Sequence, residues 1–244
     1  MKNVIVYNQL GTKHHGAGRW DMEGLFRYLR AQIDNSLRLG WKADDIVVGT
    51  NFEFEYNGVT AHHLTRVCEW SGFHNFWYGA LDLLDQGVIQ NHHFWLHDHD
   101  SWQLSPLEFP GFKGDIAGVE YGGTSEWNCG SVYFNPGCKE TLQYIVDTLE
   151  HNKEADVSSD EVIIGFLRRY APNRDRFVSI NSRWNIGLTH SEYRLGGATK
   201  PYQVLSFKPD ESGIYNRLNQ KNLLYLIDPE FQTILDKHFK SERN

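Results

Sequence analysis

Residues 94–100 read Phe-Trp-Leu-His-Asp-His-Asp, an apolar run that ends in alternating histidine and aspartate. Short apolar runs rich in aromatic residues are typical of buried β-strands. Side chains two positions apart on a strand point to the same face, so Asp98 and Asp100 are predicted to converge on one point. The stretch therefore predicts a buried strand whose carboxyl end carries a pair of acidic side chains.

The segments around this strand alternate between strand and helix patterns. Four short apolar runs in the first hundred residues predict strands: 3–8, 45–51, 62–68 and 92–96. Apolar residues recur with helical spacing over 25–37 and 73–84, and Gly40 and Gly87 follow them as helix-ending residues. This alternation predicts an α/β fold with a Rossmann-type, mostly parallel central sheet flanked by helices.

Ligands of such sheets bind beyond the carboxyl ends of the strands. The glycine-rich segment 11–21 follows the first predicted strand, and residues 97–100 follow a later one. Both are therefore expected at the ligand-binding edge.

The second half of the chain has a less regular pattern. A long loop is predicted over 101–114. Further strands are predicted near 115–121, 131–135, 177–180 and 203–207, and helices over 139–151, 159–170 and 229–240. Because no stretch has the composition of a linker, residues 1–244 are interpreted as a single domain with a smaller mixed region in its second half.

Composition limits the classes of partner. The chain has 24 lysines and arginines against 31 aspartates and glutamates, a formal net charge of −7. This balance argues against a broad basic surface for duplex nucleic acid. Arg168, Arg169, Arg174 and Arg176 form a local basic cluster, so nucleic acid stays open as a partner.

The cysteines and the apolar runs indicate the cellular compartment of the protein. Three cysteines with no CxxC spacing fit no complete disulfide framework, which favours a reducing cytoplasm. The apolar run at the N-terminus has the length of a strand, and no run approaches the roughly 18 residues of a membrane span. We therefore expect neither a signal peptide nor a membrane partner.

The Asp98–Asp100 pair predicts a divalent-metal site. Two close carboxylates repel each other and resist ionising together unless a cation lies between them. Mg²⁺ and Mn²⁺ favour carboxylate oxygen and leave positions open for substrate phosphates. His97 and His99 support an alternative, a zinc-dependent hydrolase, although strand alternation predicts that they face away from the aspartates.

Several segments, taken in order, resemble the GT-A superfamily of nucleotide-sugar glycosyltransferases, in particular its short bacterial and phage members. The similarity extends to about residue 209. The matching segments are 3–8, 94–100, 126–137, 158–167 and 177–187. The resemblance implies a nucleotide-sugar-binding half (1–100), an acceptor-side half (101–244), and Mn²⁺ or Mg²⁺ as cofactor.

The resemblance also implies roles for individual residues. Asp98 and Asp100 would bind the metal, Asp98 also approaching the ribose. Tyr7 and Asn8 would meet the base, Thr12 and Arg19 the ribose or phosphate, and Lys208 the diphosphate. The sugar and acceptor pocket would contain Trp127, Asn128, Gly130, Trp184 and Asn185.

One position departs from the family pattern. Many members complete the metal shell with a histidine in a late strand, where this chain has Ser206. Water at that position or His190 would then supply the third ligand.

The catalytic expectation concerns the acidic pair that opens a helix. Asp160 or Glu161 would be the general base of an inverting reaction, or would stabilise an oxocarbenium-like state in a retaining one. The expected donor is a nucleotide-diphosphate sugar, with a UDP-sugar favoured. The expected acceptor is a hydroxyl group, on a saccharide or on a hydroxymethylated pyrimidine of phage DNA. A binding module without enzyme activity is a further alternative.

Overall fold

Seven strands form one central sheet. In a computed structural model of the chain, the described residues are 1–9, 22–120, 126–153, 159–187, 198–209 and 214–240. The strands are β1 (Lys2–Tyr7), β2 (Ile46–Thr50), β5 (His62–His63), β6 (Phe94–His97), β8 (Ile116–Glu120), β9 (Trp127–Phe134) and β10 (Phe177–Ser179). Their order across the sheet is β10-β8-β9-β6-β1-β2-β5.

The sheet is mostly parallel, as the sequence predicts. β1 pairs in parallel with β2 and with β6, β2 with β5, and β8 with β10. Only β9 runs the other way, between β6 and β8. Because β1 and β6 are parallel neighbours, their carboxyl ends meet at the same edge, just before Asn8 and Asp98.

A second, smaller sheet has three strands. It consists of β11 (Ile186–Gly187), β12 (Val204–Ser206) and β7 (Ser101–Gln103), in that order, and a separate hairpin is formed by β3 (Glu55–Tyr56) and β4 (Val59–Thr60). The loop predicted over 101–114 is thus wrong at its start. A three-residue strand is too short to show alternation, and its burial, with Trp102 fully enclosed, depends on the rest of the fold.

Helices cover both faces of the central sheet. They are α1 (Met22–Arg38), α2 (Asn75–Asp85), α3 (Lys139–His151), α4 (Asp160–Tyr170), α5 (Asn216–Gln220) and α6 (Pro229–Phe239). Apolar residues of α2, α3 and α4 pack on one face, and those of α1 and α6 on the other. Among the described helices, none combines the length and apolar character needed to cross a bilayer.

The strand predicted over 62–68 is wrong beyond His63. The backbone N–H groups of Thr65 and Arg66 donate to a carboxylate oxygen of Asp82 on α2, at 2.5 and 2.8 Å. These groups are bonded to a side chain and are therefore not available for a strand ladder. The segment instead leads irregularly to the start of α2.

Candidate active site

A cavity of about 420 Å³ opens beyond the carboxyl ends of β1 and β6. Its polar lining forms two groups, which we call the acidic side and the amide side. The acidic side consists of Asp98, Asp100, Asp160 and Glu161, and the amide side of Asn8, Gln9 and Asn75. Lys208, His99, Gly130 and Cys129 also line the cavity, as do aromatic rings that include Tyr7, Phe73 and Phe76.

The Asp98–Asp100 pair lies in a turn and not on a strand. β6 ends at His97, and the N–H of Ser101 donates to the carbonyl of Asp98 at 3.2 Å, which closes the turn. The N–H of Asp98 donates to the Gly130 carbonyl at 2.9 Å, and the N–H of Phe207 donates to the Asp100 carbonyl at 2.8 Å. The turn is therefore fixed between β9 and the segment after β12, and both aspartates face the cavity.

The acidic side perturbs the ionisation of Asp98. Burial, followed by the charges of Asp100, Asp160 and Glu161, raises the pKa of Asp98 well above its usual range, and Lys208 only partly opposes this. A cation would relieve such repulsion. Among the described residues, no three His, Cys, Asp or Glu side chains form a metal-binding group. Two carboxylates nevertheless fit Mg²⁺ or Mn²⁺, which usually take their remaining ligands from water and substrate phosphate.

Gly130 leaves room beside Asp98 that no other residue type would leave. A Cβ at this position would lie 3.1 Å from Asn128 Oδ1, 3.1 Å from Ser101 Oγ and 3.2 Å from Asp98 Oδ2. All three distances are shorter than ordinary van der Waals contacts. A side chain here would displace the Asp98 carboxylate.

A chain of hydrogen-bonded side chains supports the turn that contains Asp98. Asn185 Nδ2 donates to Asn128 Oδ1 at 2.7 Å, and Ser206 Oγ donates to Asn185 Oδ1 at 3.0 Å. Ser206 Oγ also lies 2.9 Å from Ser101 Oγ, next to the Asp98 turn. Ser206 thus belongs to a network that holds the turn in place.

Asp160 begins α4 and enters the cavity beside the acidic turn. The indole N–H of Trp77 donates to Asp160 Oδ2 at 2.7 Å. Burial raises the pKa of Asp160 to about 6, although the bond from Trp77 acts in the opposite direction. Glu161 Oε1 accepts a weaker bond from the Cys129 N–H at 3.4 Å. A carboxylate with a pKa near neutrality is suited to accept a proton.

Solved structures of glycosyltransferases share this architecture. GlyE of Streptococcus pneumoniae TIGR4 matches 97% of this chain at 12% identity and a TM-score of 0.58. LgtC, as an active-site mutant, matches 96% at 11% identity and a TM-score of 0.53, and it is also solved with donor and acceptor sugar analogs. A glycosyltransferase involved in the glycosylation of the major capsid of PBCV-1 matches 84% at 7% identity and a TM-score of 0.51. The chain has the GT-A glycosyltransferase fold.

The extent of these matches differs between the relatives. The chain spans 63% of the length of GlyE, 93% of the PBCV-1 enzyme and all of LgtC. No protein-family model and no curated protein sequence matches the chain. The identities are low, so the matches concern the fold alone.

Within the GT-A fold, the predicted site residues fall into three groups. Tyr7, Asn8, Asp98, Asp100, Gly130, Asp160, Glu161 and Lys208 line the cavity together. Trp127, Trp184 and Asn185 are buried and absent from its lining, as is the half-buried Asn128. Thr12, Arg19 and His190 lie outside the described residues.

The two histidines of the acidic turn have different environments. His97 is fully buried, stacks on Trp95 at 3.8 Å, and its Nε2 lies 2.8 Å from Asn3 Oδ1. Burial lowers the pKa of His97 to about 3. His99 instead lines the cavity, contrary to the prediction that it faces away, because the strand ends before it. The pair does not converge, which removes the basis of the zinc hydrolase alternative.

Two arginines of the basic cluster are engaged in contacts within the chain. Arg168 bonds Glu120 and lies 4.8 Å from the ring centre of Trp127. Arg176 pairs with Asp115 at 3.4 Å and with Glu140 at 3.3 Å. Two of the four guanidinium groups therefore neutralise neighbouring carboxylates, which weakens the case for a nucleic-acid surface.

Sequence reasoning missed Asn75, Trp77, Phe73 and Phe76 as site residues. All four lie in or beside the segment 73–84, which the apolar spacing predicts as a core helix. Helical periodicity does not distinguish a side chain that packs in the core from one that contacts a cavity at the start of the helix. The position of α2 beside β1 makes that distinction.

Proposed function

We propose that this protein is a glycosyltransferase that moves a sugar from a nucleotide-diphosphate sugar, with a UDP-sugar favoured, to a hydroxyl acceptor. The proposal depends on one observation. A single cavity brings the acidic side and the amide side together, at the sheet edge where the GT-A fold is expected to bind its ligand. In this proposal, the acidic side takes the metal and the diphosphate, and the amide side takes the base.

In the proposed reaction, the acceptor oxygen forms a bond to the anomeric carbon of the donor sugar. The bond from that carbon to the phosphate oxygen breaks, and the nucleoside diphosphate leaves with the electron pair. Asp160 accepts the proton of the acceptor hydroxyl if the reaction inverts configuration, with Glu161 as the adjacent acid. In a retaining reaction, the same carboxylates stabilise positive charge on the sugar ring.

Charge on the leaving group would be balanced by the bound metal ion and by Lys208. Asp98 and Asp100 would hold the Mn²⁺ or Mg²⁺, which when bound neutralises charge on the diphosphate. Lys208, which also lines the cavity, adds a positive charge of the protein itself. His99 packs edge-on against Tyr28 of α1, with 5.1 Å between the ring centres, and its carbonyl accepts a bond from Gln32 of the same helix at 3.0 Å.

A saccharide is the better-supported acceptor. LgtC, which has the same fold, is solved with donor and acceptor sugar analogs. The alternative acceptor, a hydroxymethylated pyrimidine in phage DNA, would require a basic surface, and two arginines of the basic cluster are already paired. We place the protein in the cytoplasm, the host cytoplasm if it is phage-encoded, since its three cysteines are free thiols.

Donor hydrolysis tests the proposal. The protein is incubated with UDP-, GDP-, CMP- and TDP-sugars and Mn²⁺, and release of the nucleotide is followed. We expect slow release from one donor, loss of release in Asp100→Asn, and full release in Asp175→Asn, the same change at an exposed residue. Absence of release from every donor, together with no thermal stabilisation by any of them, would contradict the proposal.

A further inference from the structure

One face of α1 contacts the chain segment that carries Asp100. Tyr28, Gln32 and Asn35 are spaced by four and then three residues, so they lie on the same side of the helix. All three are buried, and each contacts the segment 99–103. Side chains of α1 therefore join the helix to the second half of the acidic turn.

The side-chain amide of Gln32 bridges two backbone carbonyls of this segment. Its Nε2 donates to the carbonyl oxygens of His99 and Ser101, at 3.0 Å each. Carbonyl oxygens only accept hydrogen bonds, so the NH₂ end of the amide must be the end that faces them. Only 1% of the surface of Gln32 is exposed, and an amide is buried at low cost only where it is hydrogen-bonded.

These bonds fix the backbone around Asp100. The His99 carbonyl belongs to the peptide group before Asp100, and Gln32 bonds it. The Asp100 carbonyl belongs to the peptide group after it, and accepts the N–H of Phe207 at 2.8 Å. Because peptide groups are planar, fixing both of them sets the two backbone dihedral angles of Asp100 and, with them, the direction of its side chain. The position of the Asp100 carboxylate thus depends on a side chain of α1.

Asp98 is fixed without any contribution from Gln32. Its N–H donates to the Gly130 carbonyl at 2.9 Å, and its carbonyl accepts the N–H of Ser101 at 3.2 Å. All of these are backbone groups, so a substitution on α1 leaves the bonds of Asp98 in place. The two carboxylates of the acidic turn are therefore held in different ways.

We propose that Gln32 is a positioning residue that places the Asp100 carboxylate beside that of Asp98, so that the two can share one divalent cation. This rests on the proposed function, since it concerns the cation that would neutralise the diphosphate. Gln32 would act through the backbone of the turn and would not itself touch the cation. Loss of the partners that orient metal ligands usually weakens metal binding by about 10- to 100-fold.

Titration with Mn²⁺, followed by the electron paramagnetic resonance signal of the free ion, tests the role without donor or turnover. Gln32→Met keeps the length of the side chain and removes both bonds, so the affinity for Mn²⁺ should fall by about 10-fold or more. Gln32→Asn keeps the NH₂ group but is one carbon shorter, so it cannot bridge both carbonyls. It replaces Gln32→Met if that variant does not fold, and its affinity for Mn²⁺ should fall as well.

Asn35→Leu is the matched control. Asn35 Nδ2 donates to the Gln103 carbonyl at 2.9 Å, which is also a buried bond from α1 to this segment but lies three residues beyond Asp100. Both variants lose buried hydrogen bonds, so both should unfold at lower urea concentration than the native protein. Only Gln32→Met should lose affinity for Mn²⁺, whereas a general loosening of α1 would weaken Mn²⁺ binding in both.

The outcomes separate this inference from the proposed function. Native Mn²⁺ affinity in Gln32→Met, or an equal loss in Asn35→Leu, would overturn the inference while leaving a nucleotide-sugar enzyme in place. Absence of Mn²⁺ binding by the native protein would also overturn the inference. Absence of nucleotide release from every donor, measured on the same preparation, would overturn the proposed function as well.

Discussion

Replacing Asp160 by asparagine should stabilise the protein while abolishing turnover. Burial raises the pKa of Asp160 from 3.8 to about 6, so folding at pH 7 keeps an ionised carboxylate where the neutral form is preferred. At about 1.36 kcal/mol for each pKa unit, this costs up to about 3 kcal/mol at pH 7. The asparagine side chain would avoid the charge, and its oxygen would still accept the Trp77 N–H.

The stability difference between Asp160→Asn and the native protein should depend on pH in a defined direction. A raised pKa contributes stability that is complete below pH 3.8 and is lost as the pH rises through about 6. The free energy of unfolding of Asp160→Asn should therefore exceed that of the native protein by about 3 kcal/mol at pH 7 and by only about 1.5 kcal/mol at pH 5. Urea unfolding at both pH values, without metal or nucleotide, measures it.

Asp82→Asn is the matched control, with the opposite sign. Burial acts to raise the pKa of Asp82, but the N–H groups of Arg66 and Thr65 outweigh it, so the pKa is lowered. Its carboxylate adds stability that is present at pH 7 and lost in acid, so Asp82→Asn should be less stable than the native protein at pH 7. An Asp160→Asn protein that is no more stable than the native one, or equally favoured at both pH values, would show that burial of the Asp160 charge costs nothing.

Three further changes test neighbouring parts of the site. Trp77→Phe removes the N–H that opposes the rise of the Asp160 pKa, so the acidic limb of the pH–rate profile of nucleotide release should move to higher pH. An unchanged acidic limb would show that the bond from Trp77 does not affect the pKa of Asp160. Gly130→Ala should reduce turnover by about 10- to 100-fold through displacement of Asp98, with melting temperature lowered by only a few degrees; native turnover would show that the turn tolerates the methyl group. Cys129 should resist iodoacetamide at pH 8 in the folded protein, since burial and the charges of Asp160 and two other acids keep it a thiol; rapid alkylation, read by mass spectrometry, would contradict this.

Local patterns were sufficient for the parallel strands and the amphipathic helices. The apolar runs around Val4, Val48 and Leu96 are continuous because strands covered by helices on both faces are buried throughout. The helix over 25–37 is visible because one face is buried in the core while the residues of the opposite face are only half-buried. Such features depend on neighbours in sequence, so the sequence reveals them directly.

The small sheet and the irregular segment after His63 could not be predicted in the same way. β7 is a strand because β12 pairs with it from about a hundred residues away, with Trp102 opposite Leu205. The segment 64–74 is irregular because a side chain of α2, Asp82, binds its backbone. Both depend on contacts between distant parts of the chain that leave no local period.

The same distinction between local patterns and distant contacts applies to the candidate site. Sequence patterns alone predict the Rossmann-type sheet and place the acidic residues 98–100 at its ligand-binding edge. The family resemblance implies that the acidic pair 160–161, which opens a helix, lies near the same ligand. Packing in three dimensions is needed to see that His97 is buried and His99 is not, that Trp77 holds Asp160, and that Gln32 bonds the backbone on either side of Asp100. Those relations depend on hydrogen bonds between elements, whose geometry arises when α1 and α2 pack beside the strands and α4, and no spacing along the chain encodes it.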